Sequence, residues 1–170
     1  MKNDRKNIIL QALASLLEER NLSKVTTALL AEKSEITEAA LYRHFPSKRA
    51  IYAELFSFCD NAIFNKCAEL KKSDLSSRDK VKNTFLFFMI FIEKNKGFAR
   101  LVSREALSTD EQNVSDAVNQ FFERLELSIK QMLAEDSNNL IALHTYIHIT
   151  YINTYIHTYI HTYIHTYIHT

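Results

Sequence analysis

Leu41-Tyr42-Arg43-His44-Phe45-Pro46-Ser47-Lys48 is the stretch on which the reading of this chain turns. Leu41 and Phe45 stand four apart, so one helical face is apolar while Tyr42, Arg43 and His44 point elsewhere. Pro46 excludes helical geometry at Phe45 and ends that helix. Ser47 then supplies a hydroxyl to cap the next one. The stretch predicts a short helix that displays polar and basic side chains and turns at once into a longer helix.

Outward from this run, Thr37 is the expected cap of the short helix, with Glu38 favouring its first turn electrostatically. Thr26 or Thr27 opens a helix through Leu29, Leu30 and Ala31. Ahead of it, Ile8, Ile9, Ala12, Leu13, Leu16 and Leu17 form one stripe of an amphipathic helix over about residues 6–20, with Asn21 as its stop. After Ser47 a long helix is expected from Lys48 to Lys71, with Ile51, Leu55, Phe58, Ala62, Ile63 and Leu70 as its apolar positions. A polar break at Ser73–Ser77 precedes a fifth helix, Arg78–Lys94, whose run Phe85–Ile92 is apolar all round and belongs inside a protein or against a partner. Gly97 reads as a boundary, with a short helix from Phe98 to Leu107 behind it. A seventh helix over about residues 113–135 has Val114, Ala117, Val118, Phe121, Phe122, Leu125, Ile129 and Leu133 along its seam.

Composition agrees. One Gly and one Pro in 170 residues leave too few turn formers for a sheet protein, so the fold class is all-α. The chain divides into a head at residues 1–49, a helical body at 50–139 and a low-complexity tail at 140–170. The eight-residue apolar run is far short of the roughly 20 residues that cross a bilayer. Lys2, Asp4, Arg5 and Lys6 stand where a signal peptide would begin its apolar segment. A soluble, cytoplasmic protein is expected. Cys59 and Cys67 are eight apart on one helix, roughly 12 Å along its axis, too far to bridge, and read as small buried apolar residues.

The head has the chemistry of a duplex reader. Ala39 and Ala40 are small enough to let a helix backbone approach base edges. Thr26, Thr27 and Thr37 offer hydroxyls, and Tyr42, Arg43, His44 and Lys48 offer donors at the spacing of flanking phosphates. Net charge is only +1, but residues 1–49 carry nine basic against six acidic residues, so the basic balance is local to the head. No Ser/His/Asp set, paired-carboxylate site or phosphate-cradling glycine loop can be assembled, and His44 alone of the seven His lies outside the tail. No enzyme, cofactor or metal site is expected.

Thr26-Thr27, Leu30-Ala31, Ile36-Thr37-Glu38 and the Leu41–Lys48 run resemble the TetR-type helix-turn-helix head. Together with Asn119-Gln120-Phe121-Phe122-Glu123-Arg124-Leu125-Glu126, they are most similar to the nucleoid occlusion factors, TetR-like division inhibitors of gamma-proteobacteria. The likeness covers about residues 5–136. It implies a nucleoid-associated homodimer that binds palindromic double-stranded DNA, and a body that captures the C-terminal tail of the division tubulin FtsZ. By that resemblance the tail would meet Phe58 and Lys66 on the fourth helix, Phe87 on the fifth, and Lys94 and Asn95 at its end. Phe58 and Phe87 also lie on apolar stripes, where core packing is the plainer expectation, and Lys66 and Lys94 suit plain solvated charges. An ordinary TetR-like transcriptional repressor with a small effector in its body is the alternative. In the family's turn between the second and third helices a Gly usually takes left-handed geometry. Here Glu35 stands at that place.

From Thr154 the chain reads Thr-Tyr-Ile-His four times, with a ragged version from His144. No common repeat architecture has a period of four. The peptide is what ACAT repeated in DNA encodes, in every forward frame and without a stop. The reading frame is therefore inferred to have entered a microsatellite where the family's two dimer-forming helices would follow. Weakened pairing is expected, and a non-functional product dominated by its tail is a further alternative. As a strand the repeat is aggregation-prone, and as a helix His157, His161, His165 and His169 align at i+4 for adventitious metal binding. The coding DNA for residues 154–170 is expected to be an unbroken ACAT repeat; varied codons there would refute the microsatellite origin.

Overall fold

A computed structural model describes residues 2–19, 25–107 and 111–134, with Thr158 and Thr162. Among these residues there are seven helices and no strand: α1 (Lys2–Glu18), α2 (Thr27–Lys33), α3 (Glu38–His44), α4 (Lys48–Lys71), α5 (Ser77–Lys94), α6 (Lys96–Val102) and α7 (Gln112–Leu133). The fold is all-α. The boundaries follow from capping. Thr26 accepts the amide of Leu29, Thr37 that of Ala40 and Ser47 that of Ala50, each at 3.2 Å. Ser76 accepts the amide of Asp79 and returns its hydroxyl proton to the Asp79 carboxylate, closing the first turn of α5 on itself. Phe45 is extended, with φ −135° and ψ 127°, as the residue before a proline must be.

The chain forms two compact units. The first comprises residues 1–59 and 95–118. Here α1 packs on α2, α3 and α6, burying Ile9, Ala12, Leu13, Leu16 and Leu17 with Leu30, Leu41, Phe45, Phe98 and Leu101. Gly97 does not end a helix by left-handed geometry. It sits inside α6, which starts at Lys96, and its φ is not positive. The reason for glycine is proximity: a Cβ there would lie 2.8 Å from the carbonyl oxygen of Ala14 and 3.2 Å from the Leu17 Cβ. Three residues on, the buried Arg100 donates to the carbonyls of Leu17 at 2.8 Å and Glu19 at 3.1 Å. These oxygens belong to the end of α1, where carbonyls lack helical partners and the dipole is negative.

The second unit comprises residues 60–94 and 119–170. Phe121 is its centre, meeting Phe64 at 5.5 Å, Phe88 at 5.8 Å and Phe122 at 5.2 Å between ring centroids. Arg124 lies 3.8 Å over the Phe64 ring and binds both carboxylate oxygens of Asp60, at 3.1 and 3.0 Å. The buried Lys80 donates to the carbonyl of Lys71 at the end of α4.

Several apolar expectations change in detail. Phe58, placed on the core stripe of α4, is 69% exposed, while Ile51, Leu55, Ile63 and Leu70 are buried as expected. α5 is not buried all round: Val81, Thr84, Phe88 and Ile92 form its inward face, and Leu86 and Ile90 remain exposed. On α7, Met132 joins the buried seam where Leu133 was expected. Cys59 and Cys67 are free and buried; burial pushes their thiols up to about 12 and about 11, so both stay protonated and inert at neutral pH. The expected stop at Asn21 and the readings of the tail fall outside the described residues, except that Thr158 and Thr162 are helical and exposed. Among the described residues, no helix is long and apolar enough to cross a membrane.

The Gly97 approach predicts that Gly97→Val forces α6 away from α1 and costs roughly 1–3 kcal/mol, as overpacking does. Thermal melting should show a fall of several degrees; an unchanged melting temperature would mean that the two helices adjust freely.

Candidate nucleic-acid interface

The head owes its geometry to the turn between α2 and α3. At the end of α2 the amide of Ile36 donates to the carbonyl of Ala31 and the amide of Glu35 to that of Glu32, both at 3.0 Å. This is the paired closure that ends a helix on a left-handed residue. The left-handed residue is Glu35, with φ 54°. The buried Ser34 adds a hydroxyl bond to the carbonyl of Leu30 at 2.7 Å. The turn therefore has the form that the family resemblance implied, with a side chain where glycine is easiest.

That closure aims α3. Leu41 is its one buried residue, and Phe45 just beyond it is buried beneath the Lys6 ammonium, 4.9 Å from the ring centroid. Ala39, Tyr42 and Arg43 are at i, i+3 and i+4 and are all exposed. They form an outward strip, small at one end and donor-rich at the other. Exposed Thr37 and Thr26 use their oxygens as cap acceptors, which leaves each hydroxyl proton available to an anion. Ala40 is half-buried.

Two candidate residues, Thr27 and Lys48, are engaged within the chain, and a third, His44, is partly enclosed. Thr27 donates to Glu38 Oε2 at 2.6 Å, tying the start of α2 to the start of α3. His44 is half-buried, its Nδ1 enclosed without a hydrogen-bond partner among the described residues. Lys48 turns inward: its ammonium lies 3.1 Å from Glu111 Oε1 and 5.1 Å from the Tyr52 ring centroid. Burial, reinforced by the Glu111 carboxylate and opposed by Arg100, holds the Tyr52 phenol far above its usual range. Glu111 carried no signal in the sequence, where it falls in the polar break Ser108–Glu111 that separates two helices.

The residues tied by resemblance to a protein partner divide between the units. Phe58 and half-buried Asn95 line one cavity of about 300 Å³ in the first unit, with Asn7, Gln11, Leu55 and Phe98. In the second unit Lys66 is paired with Glu69 at 2.6 Å. Phe87 is half-buried beside Phe91, at 6.0 Å between centroids, and Lys94 is exposed.

The strain at Glu35 gives a direct test. Glu35→Gly is expected to stabilise the chain by up to about 1 kcal/mol, raising the melting temperature by roughly 2–4 °C in a chain of this size. A lower or unchanged value would mean that the Glu35 side chain supports the turn.

Comparison with known proteins agrees with this geometry. Residues 9–55 match the family described as bacterial regulatory proteins, tetR family. Residues 77–168 match the tetracyclin repressor-like C-terminal domain of the SlmA-like type, so that match runs into the repeat. The nucleoid occlusion factor SlmA of Marinobacter nauticus is 37% identical over 134 residues, covering 79% of this chain and 69% of the relative. Those of Vibrio vulnificus and Vibrio cholerae are each 36% identical over 135 residues, with the same coverage.

Proposed function

The chain belongs to the TetR family of bacterial regulatory proteins and to its nucleoid occlusion factors, and on that premise we propose that it binds specific duplex sites on the chromosome and opposes FtsZ-ring assembly there. The observation that carries the DNA reading is the outward strip Ala39, Tyr42 and Arg43 on a helix held from beneath by Leu41 and Phe45. Ala39 lets the backbone approach base edges. Tyr42, Arg43, Thr37 and Thr26 supply the phosphate and base-edge donors, with Ala40 beside the strip. Thr27 and Lys48 belong to the same sequence motif but act first within the chain, and half-buried His44 stands beside them.

A single head contributes affinity near the non-specific range of roughly 10⁻⁴–10⁻⁶ M. Reading a palindrome takes two copies, because half-site spacing is set by dimer symmetry. We propose the organisation of a head at 1–49, a body at 50–139 and a tail at 140–170, with the body as the protein-binding part. Phe58, 69% exposed despite its apolar stripe, supports a partner-binding role by the family resemblance, together with Lys66, Phe87, Lys94 and Asn95. The partner is then the C-terminal tail of FtsZ, and the site of action is the nucleoid.

A second reading, a transcriptional repressor with a small effector, is favoured by the cavity of about 300 Å³ that Phe58 and Asn95 line. Co-sedimentation with FtsZ polymers separates the two. DNA-stimulated association that Phe58→Ala lowers at least severalfold, with unchanged melting, is expected of the division reading. No association with or without duplex would leave the repressor reading in its place.

A further inference from the structure

Glu38 is the first residue of α3 and is exposed, one position before Ala39 and four before Tyr42 of the outward strip. An acid at a helix start is ordinarily a partner of the helix dipole. Here the side chain is also held from the neighbouring helix: its Oε2 accepts the hydroxyl of Thr27, at the start of α2, at 2.6 Å. The backbone beneath it is fixed as well, because Thr37 accepts the amide of Ala40 at 3.2 Å. A free glutamate loses several rotamers when it makes a contact, and one already held at its carboxylate loses fewer. The head therefore presents a pinned negative charge on the first turn of the helix whose early residues reach base edges.

We propose that Glu38 is a specificity-determining residue of the head, accepting a hydrogen bond from the exocyclic amino group of a cytosine in the major groove. This rests on the DNA-binding reading above and deepens it. Phosphates repel a carboxylate, so Glu38 has no part in the backbone grip to which Thr26, Thr37, Tyr42 and Arg43 are suited. It carries acceptors alone, and each oxygen has two lone pairs, so the bond from Thr27 does not exhaust it. Guanine presents N7 and O6 in the major groove and thymine presents O4, all acceptors that oppose a carboxylate. Adenine offers its N6 amino group beside the acceptor N7. Cytosine offers its N4 amino group with no acceptor next to it on the same base, and is the base that a held carboxylate favours. Ala39, with nothing beyond Cβ, lets the helix backbone come close enough for the contact.

The test is selection of duplexes from a randomised library by the whole chain, with the bound fraction sequenced. The wild type is expected to enrich cytosine at one position per head. Glu38→Gln keeps an acceptor for Thr27 and adds an amide donor, the pair that suits adenine N6 and N7. It should move the preference at that position from cytosine to adenine and leave the other positions as they were. Glu38→Ala should flatten that position alone, a loss of at least about fivefold in discrimination, the lower end of what one mismatched base pair costs. Thr27→Val releases the carboxylate without removing it, and should keep cytosine while weakening the preference for it. A wild-type pattern retained by both Glu38→Gln and Glu38→Ala would overturn the proposal and leave Glu38 a dipole partner only. So would a loss spread evenly over all positions, which is what a loosened helix start produces. A wild-type chain that enriches no sequence overturns the DNA reading itself, a result distinct from an unchanged pattern.

Discussion

The crossing of α6 on α1 is the constraint on which the first unit depends. Gly97 lets the two backbones approach to a distance at which a Cβ would meet the Ala14 carbonyl at 2.8 Å. Arg100, one turn along, satisfies the last carbonyls of α1 from inside the protein. A guanidinium buried without acceptors is costly, and carbonyls at a helix end without donors are costly too, so each removes the other's penalty. α1 in turn supports α2 and α3. The outward strip of α3 is therefore aimed by a helix whose own end is fixed by α6.

Around that crossing the polar groups are arranged by cost. Arg100, Tyr52, Glu111 and Lys48 are each too polar to be buried alone, and the chain places them where their charges and dipoles answer one another. The head's surface is built from the opposite economy, with side chains that water already solvates and that a phosphate can take over with little loss. Lys48 stands on the border, in the motif by sequence and in the interior by contact.

The second unit is held by aromatic contact. Phe121 touches three other rings, and Arg124 spans Phe64 and Asp60, so one side chain joins a cation–π contact to an ion pair in which one guanidinium nitrogen meets both carboxylate oxygens. α5 gives this core one face and leaves Leu86 and Ile90 outside. An apolar run reads as buried all round only when every face has something to pack on, and along the sequence the number of neighbours is invisible.

Sequence by itself determined the helices and most of their ends, because caps, a proline and apolar spacing act within a few residues of one another. Thr37, Ser47 and Pro46 carried that information alone, whereas the left-handed turn at Glu35 was legible only through the resemblance to the TetR-type head. Tertiary structure alone decided why the single glycine is at residue 97, why Phe58 is exposed on an apolar stripe, and why Lys48 faces inward. Two of those depend on a group distant along the chain, Ala14 for Gly97 and Glu111 for Lys48. A side chain's helical spacing states which face it occupies, whereas what covers that face is settled only when the helices meet.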